Sequence, residues 1–150
     1  MTVRIQTQDF DVGFELNELR LANASVGAVA SFIGQVRDLN NYQIINALTL
    51  EHYPGMTEKA LGTIELEAKR RWKMIDTLII HRLGTLVPSD QIVLVAVTSA
   101  HRGEAFKACE FIMDFLKTDA PFWKKEITPT GEHWVDAKQT DDAATASWKK

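Results

Sequence analysis

Cysteine is nearly absent. Cys109 stands alone, so the chain has no partner for an intramolecular disulfide. Histidine is sparse as well: His52, His81, His101 and His133 show neither His-x-x-His spacing nor paired cysteines, so a metal site has little support. No apolar run approaches the roughly 20 residues that a bilayer span requires, and the opening MTVRIQTQDFDVG lacks the apolar segment of a signal peptide. A soluble, cytoplasmic protein is expected. Positive charge is not in excess either, since the formal net charge is -3. Bulk attraction to nucleic acid or to an acidic membrane is therefore not expected, and any anion site must be built locally. A Walker loop, a dinucleotide Gly-rich turn and a Gly-x-Ser-x-Gly elbow are all missing.

What is present suits one core. With 150 residues, 45% of them hydrophobic, the chain is long enough for one buried interior and too short for two, which gives a single domain over 1–150. Strands are expected at Val3–Gln6, Gly27–Arg37, Asn46–Tyr53 and Ile75–Leu83. Gln91–Val97 is apolar without alternation, as in a central strand covered on both faces. A short helix is expected over Asp9–Ala22 and a long one after Pro54, where Met56, Ala60, Leu61, Ile64, Ala68 and Trp72 recur at helical spacing. Gly84–Asp90 reads as an excursion and turn, and two short strands are expected around Pro129-Thr130-Gly131. The class is α+β, two long helices on a mainly antiparallel sheet whose strand order periodicity does not give. The polar, Ala-rich tail from Lys138 admits three readings: helical, docked on a partner, or frayed.

The chemistry concentrates between Thr98 and Glu126. Ser99-Ala100-His101-Arg102 lies where a buried strand hands over to a helix, so free N–H groups, the positive dipole end and two donor side chains are available to one anion. An exposed loop decorated by His101 and Arg102 is an equally weighted alternative. Arg37, at another strand end, adds a cation if the two ends are neighbours. Lys117 falls on the polar stripe Lys107, Glu110, Asp114, Lys117, opposite Phe106, Cys109, Ile112, Met113 and Leu116. By spacing alone it is a solvated lysine favoured by the helix C-terminus. The sequel argues for more, because Ala120-Pro121-Phe122-Trp123 stops the helix and sets two aromatics beside Lys124 and Lys125, a wall for a flat heterocycle. Cys109, mid-helix between core positions, reads as packing.

Taken together, FIGQVR at 32–37, LEHYPGMTEKAL at 50–61, HRLG at 81–84, TSAHRGEAF at 98–106 and FLKTDAPFWKKE at 115–126 closely resemble the catalytic large subunit of molybdopterin synthase, the MoaE family. The resemblance covers roughly residues 25–138. It implies an α/β-hammerhead fold, a homodimer of large subunits, and a small ubiquitin-like sulfur carrier bound at each end of a heterotetramer. It implies conversion of cyclic pyranopterin monophosphate to molybdopterin, with sulfur from the carrier's C-terminal thiocarboxylate. Lys117 would then sit at the carrier terminus and Lys124 would hold or protonate the pterin. Arg37, His101 and Arg102 would line the anion pocket, with Phe32 and Met113 in support and Lys138 as a looser match. No metal, cofactor or protein cysteine is required in that scheme.

Two other classes are weighed beside it. A noncatalytic module would dock a ubiquitin-like tail or an anion without transforming it. A phosphate-ester hydrolase with His101 as general base has neither a metal cluster nor an activated hydroxyl in its favour. One geometric conflict is also visible in advance. A helix of about 15 residues separates its ends by roughly 22 Å, so His101 and Arg102 share a pocket with Lys117 and Lys124 only if two protomers build it.

Overall fold

The structure, a computed structural model, describes residues 1–40, 42–135 and 139–149, with 139–141 described by backbone alone. Lys138 lies outside the described residues. In chain order the elements are β1 (Thr2–Gln6), α1 (Val12–Leu21), β2 (Ala28–Gln35), β3 (Leu39–Asn40), β4 (Gln43–Ile44) and β5 (Ala47–His52). There follow α2 (Met56–Arg71), β6 (Asp76–Arg82), β7 (Gly84–Leu86), β8 (Gln91–Ser99) and α3 (Arg102–Thr118). The chain closes with β9 (Phe122–Thr128), β10 (Gly131–Val135) and α4 (Gln139–Ser147). The class is α+β, as expected.

Among the described residues the strands form two four-stranded sheets and a small hairpin rather than one sheet. The first sheet runs β1-β6-β8-β2; only its β1–β6 pair is parallel. Helices α2 and α3 cover one face through Leu61, Ile64, Ala68, Phe111 and Ile112 against Ile79, Val93, Val95 and Val97. The other face packs Leu78, Ile80, Leu94 and Ala96 against Phe10 and the inner side of α1, Leu16 and Leu19. That is why β8 lacks alternation: Val93 to Val97 have an apolar neighbour on both sides.

The second sheet runs β10-β9-β5-β7 and is antiparallel throughout. Within Gly84–Asp90, expected as an excursion and turn, Gly84–Leu86 pairs with β5 as an edge strand, with Gly84 at φ +90° starting it. Hydrophobic period assigns faces and does not assign partners, so this second sheet was not derivable from it. Val36, Ile45, Leu50 and Leu86 form a third apolar cluster, with Leu48 and Ile92 against it.

Two close contacts fix the ends of α3. A Cβ on Gly27 would lie 2.3 Å from the carbonyl oxygen of Ala100, so only glycine lets the start of β2 pass beside the residue that precedes the helix. At the other end the tail folds back: Trp148 Nε1 donates to Asp114 Oδ2 at 2.7 Å, and its ring meets Trp72 and Phe111 edge-on. Of the three readings of the tail, its described part is helical and docked on its own chain.

Candidate functional site

Helix α3 buries Ala105, Ala108, Cys109, Phe111, Ile112, Met113 and Leu116. Phe106, expected on that face, is 64% exposed. It lies on the helix row Phe106, Glu110, Met113, Lys117, at the border of the apolar stripe. Lys117 is exposed in the last turn, where a cation complements the helix C-terminus. The helix then stops quickly. Asp119 N–H donates to Phe115 O at 2.8 Å and Phe122 N–H to Ala120 O at 2.9 Å, so the chain turns directly into β9.

That reversal brings Lys117 and Lys124 to one cavity of about 320 Å³, together with Arg37 from the segment after β2. Strand alternation sorts the rest of β9. Phe122, Lys124 and Glu126 line the cavity, whereas Trp123 and Lys125 take the opposite face. Lys125 pairs there with Glu132 at 3.2 Å and lies 5.4 Å over the ring of Trp134. Trp123 packs beside Tyr53, centroids 4.9 Å apart. The expected two-aromatic wall is thus a single aromatic, Phe122. The cavity floor is apolar, from Val36, Ile45, Leu48 and Ile92.

Sequence reasoning did not single out Asn40, Glu126 or His81. Asn40 Oδ1 accepts from Arg37 Nη2 at 3.3 Å, and Asn40 Nδ2 donates to Glu126 Oε1. The period-2 spacing of Phe122, Lys124 and Glu126 was a legible sign for Glu126; nothing in sequence announces Asn40. His81 lies behind Phe122, 3% exposed, its ring stacked on the phenyl ring. Burial, reinforced by the charges of Lys124 and Lys117, pushes its pKa down to about 3, against the opposing pull of the Arg82 carbonyl. The imidazole is neutral. Because a carbonyl only accepts, Nδ1, 2.8 Å from Arg82 O, carries the proton.

The other anticipated residues lie elsewhere in the chain. His101 is the N-cap of α3, exposed and without a side-chain cap bond, and Arg102 is the first helical residue, also exposed. Glu104 supplies a carboxylate in the same turn, within 3.4 Å of Ser99 Oγ. His101 and Arg102 stand nearly the whole length of α3 before Lys117, roughly 22 to 24 Å at about 1.5 Å per residue. Arg37 therefore groups with the lysines and not with His101 and Arg102 within one chain. Phe32 is 40% exposed on β2, which among the described residues has no strand partner beyond β8, and its ring lies against Gly34. Met113 is buried one turn before Lys117 on the same helix row.

Cys109 is in the core, 7% exposed, with its thiol pushed up to about 11 by burial and by the charge of Glu110. Among the described residues no group of three His, Cys, Asp or Glu side chains is placed to hold a metal ion. No described helix is long and apolar enough to cross a membrane.

Cations from α3, from β9 and from the segment after β2 surround a partly apolar cavity, a site on an α+β fold that suits an anionic reactant. A family model described as MoaE protein matches residues 5–119, and the chain belongs to the MoaE family, hence to the catalytic subunits of molybdopterin synthase. It is 60% identical over 147 residues to the molybdopterin synthase catalytic subunit of Ralstonia nicotianae, covering 98% of this chain and 84% of that protein. A solved molybdopterin biosynthesis MoaE protein from Burkholderia ambifaria superposes with a TM-score of 0.85 at 60% identity, covering 99% and 98% of the two chains. A molybdopterin synthase from Staphylococcus aureus superposes with a TM-score of 0.81 at 35% identity, covering 89% of this chain and 96% of that one.

Proposed function

We propose that this chain converts cyclic pyranopterin monophosphate to molybdopterin, taking sulfur from the C-terminal thiocarboxylate of a small ubiquitin-like carrier. The observation that carries the reading is the shared cavity of Lys117 and Lys124, two lysines from different elements, with Arg37 beside them. Lys117 receives the carrier's C-terminus. When the acyl carbon bearing the transferred sulfur is attacked by water, negative charge grows on its oxygen, and a fixed ammonium stabilises that tetrahedral state. The sulfur has by then bonded to a side-chain carbon of the pterin, displacing that carbon's oxygen substituent. The carbon–sulfur bond to the carrier breaks, the carrier leaves as a carboxylate, and the sulfur stays on the pterin as a thiolate. A second carrier repeats the step for the other dithiolene sulfur. Lys124 holds or protonates the pterin over Phe122.

The substrate phosphate takes the cationic groups Arg37, His101 and Arg102. Because α3 holds His101 and Arg102 far from Lys117, this reading uses a homodimer in which one protomer's helix start completes its partner's cavity. β2 ends its sheet among the described strands, and its partly exposed Val29, Phe32 and Ile33 suit such an interface; Met113 backs Lys117. Two carriers on a dimer give a heterotetramer. The reaction is cytoplasmic and involves neither nucleic acid nor membrane.

The test is direct: the chain, thiocarboxylated carrier and cyclic pyranopterin monophosphate are mixed, and dithiolene product is measured. Product formation is expected. Tight binding of the carrier tail with no product would identify a noncatalytic docking module instead.

A further inference from the structure

The cavity's carboxylate and one of its cations do not meet. Among the described residues Arg37 and Glu126 form no ion pair; Asn40 stands between them, accepting from the guanidinium at 3.3 Å and donating to the carboxylate. The second bond joins residues 86 apart in sequence and fastens the β3–β4 hairpin to β9. An amide suits this place because it offers an acceptor to a cation and a donor to an anion while carrying no charge. An aspartate there would repel Glu126, and a lysine would repel Arg37.

We infer that Asn40 is a positioning residue of the sulfur-transfer site: it keeps Arg37 and Glu126 from neutralising each other, so that the guanidinium stays available to the substrate's anionic group. This rests on the reaction proposed above. Without the amide, an anionic substrate has to compete with Glu126 for Arg37. The defect then falls on substrate binding and leaves the chemical step largely alone.

The experiment varies cyclic pyranopterin monophosphate at saturating thiocarboxylated carrier, using the full chain. Asn40→Ala is expected to raise KM about tenfold with kcat within about twofold, the scale of one hydrogen bond to a charged group. In Asn40→Ala/Glu126→Gln the carboxylate that would capture Arg37 is gone, so KM is expected within about threefold of Glu126→Gln alone. Asn40→Asp places a second carboxylate on Arg37 and is expected to raise KM beyond Asn40→Ala.

An unchanged KM in Asn40→Ala overturns the inference. So do additive losses in the double variant, which is what a hairpin prop alone gives, and a lowered melting temperature with normal kinetics. Calorimetric binding of cyclic pyranopterin monophosphate needs no turnover, and the same tenfold weakening is expected there. A wild-type chain that binds this ligand but makes no product counts against the reaction, whereas normal binding by Asn40→Ala counts against the role of Asn40.

Discussion

Phe122 lies face to face with His81, ring centroids 3.8 Å apart and planes 14° from parallel. One face of the cavity's aromatic wall is thus backed by an imidazole that folding keeps uncharged. The unfolded chain has no such constraint, and its histidine takes a proton near the ordinary pKa of about 6.5. Between that value and the folded value of about 3, the unfolded state binds the extra proton. Stability from this residue is complete above pH 6.5 and is lost as pH falls toward 3, by at most about 1.4 kcal/mol per pH unit. Urea midpoints at pH 7, 5.5 and 4.5 are expected to fall for the native chain and to fall less for His81→Leu. Equal slopes would remove His81 as the cause.

Glu65 is expected to act in the opposite sense. It is 2% exposed on the buried side of α2, hydrogen bonded by Thr77 Oγ1, and its carboxyl is held above the usual range chiefly by burial. A raised folded pKa means stability present below the unfolded value and lost as pH rises through the folded one. Glu65→Gln keeps an acceptor for Thr77 without the charge. Its denaturation midpoint is expected to decline less than the native chain's between pH 5 and pH 8.

Lys117→Ala is expected to lower turnover by about 10²- to 10³-fold, the range for removing one charge-stabilising donor. Its melting curve and oligomeric state are expected to stay native, because the lysine is exposed on α3. Near-normal turnover in the folded variant would reject the role given to Lys117.

Cys109→Ala is expected to transfer sulfur at nearly the native rate. The thiol is buried and held protonated, so it is poorly placed as a sulfur relay. The cost is expected in stability alone, about 1 kcal/mol for a small void in the core. Lost activity in a folded variant would point to a persulfide route.

Gly27→Ala is expected to destabilise the fold by more than about 2 kcal/mol, since the new methyl would overlap the Ala100 carbonyl and backbone must shift to admit it. Thermal unfolding checks this. A neutral effect would show that the strand–helix junction moves freely.

The fold was legible where pattern and burial coincide. The apolar run of β8, the helical spacing of α2 and the turn at Gly131 each announce their element because one local rule governs each. Pairing between distant segments was not legible, and the β5–β7 ladder and the division into two sheets depend on it. The same limit applies to the cavity. Lys117 and Lys124 were legible because one short turn joins them. Arg37 drew attention as a strand-end cation, but it was set with His101 and Arg102 because no periodicity reports which strand ends are neighbours. Asn40 gave no sign at all, since its value comes from a hydrogen bond across 86 positions.

The strict alternation of β9 has a consequence for how the chain tolerates length changes. Adding or deleting one residue between Ala120 and Phe122 would turn the strand over relative to its neighbours. Lys125 would then enter the cavity beside Trp123, and Lys124, Glu126 and Phe122 would be expelled to the outer surface. The cavity would keep a lysine and an aromatic ring, with the ring enlarged from phenyl to indole and the carboxylate exchanged for Ile127. A frame shift of one position would therefore rewrite the cavity's charge and shape while leaving the sheet's backbone pairing available, so the linker between α3 and β9 is where a single-residue indel should be least forgiving.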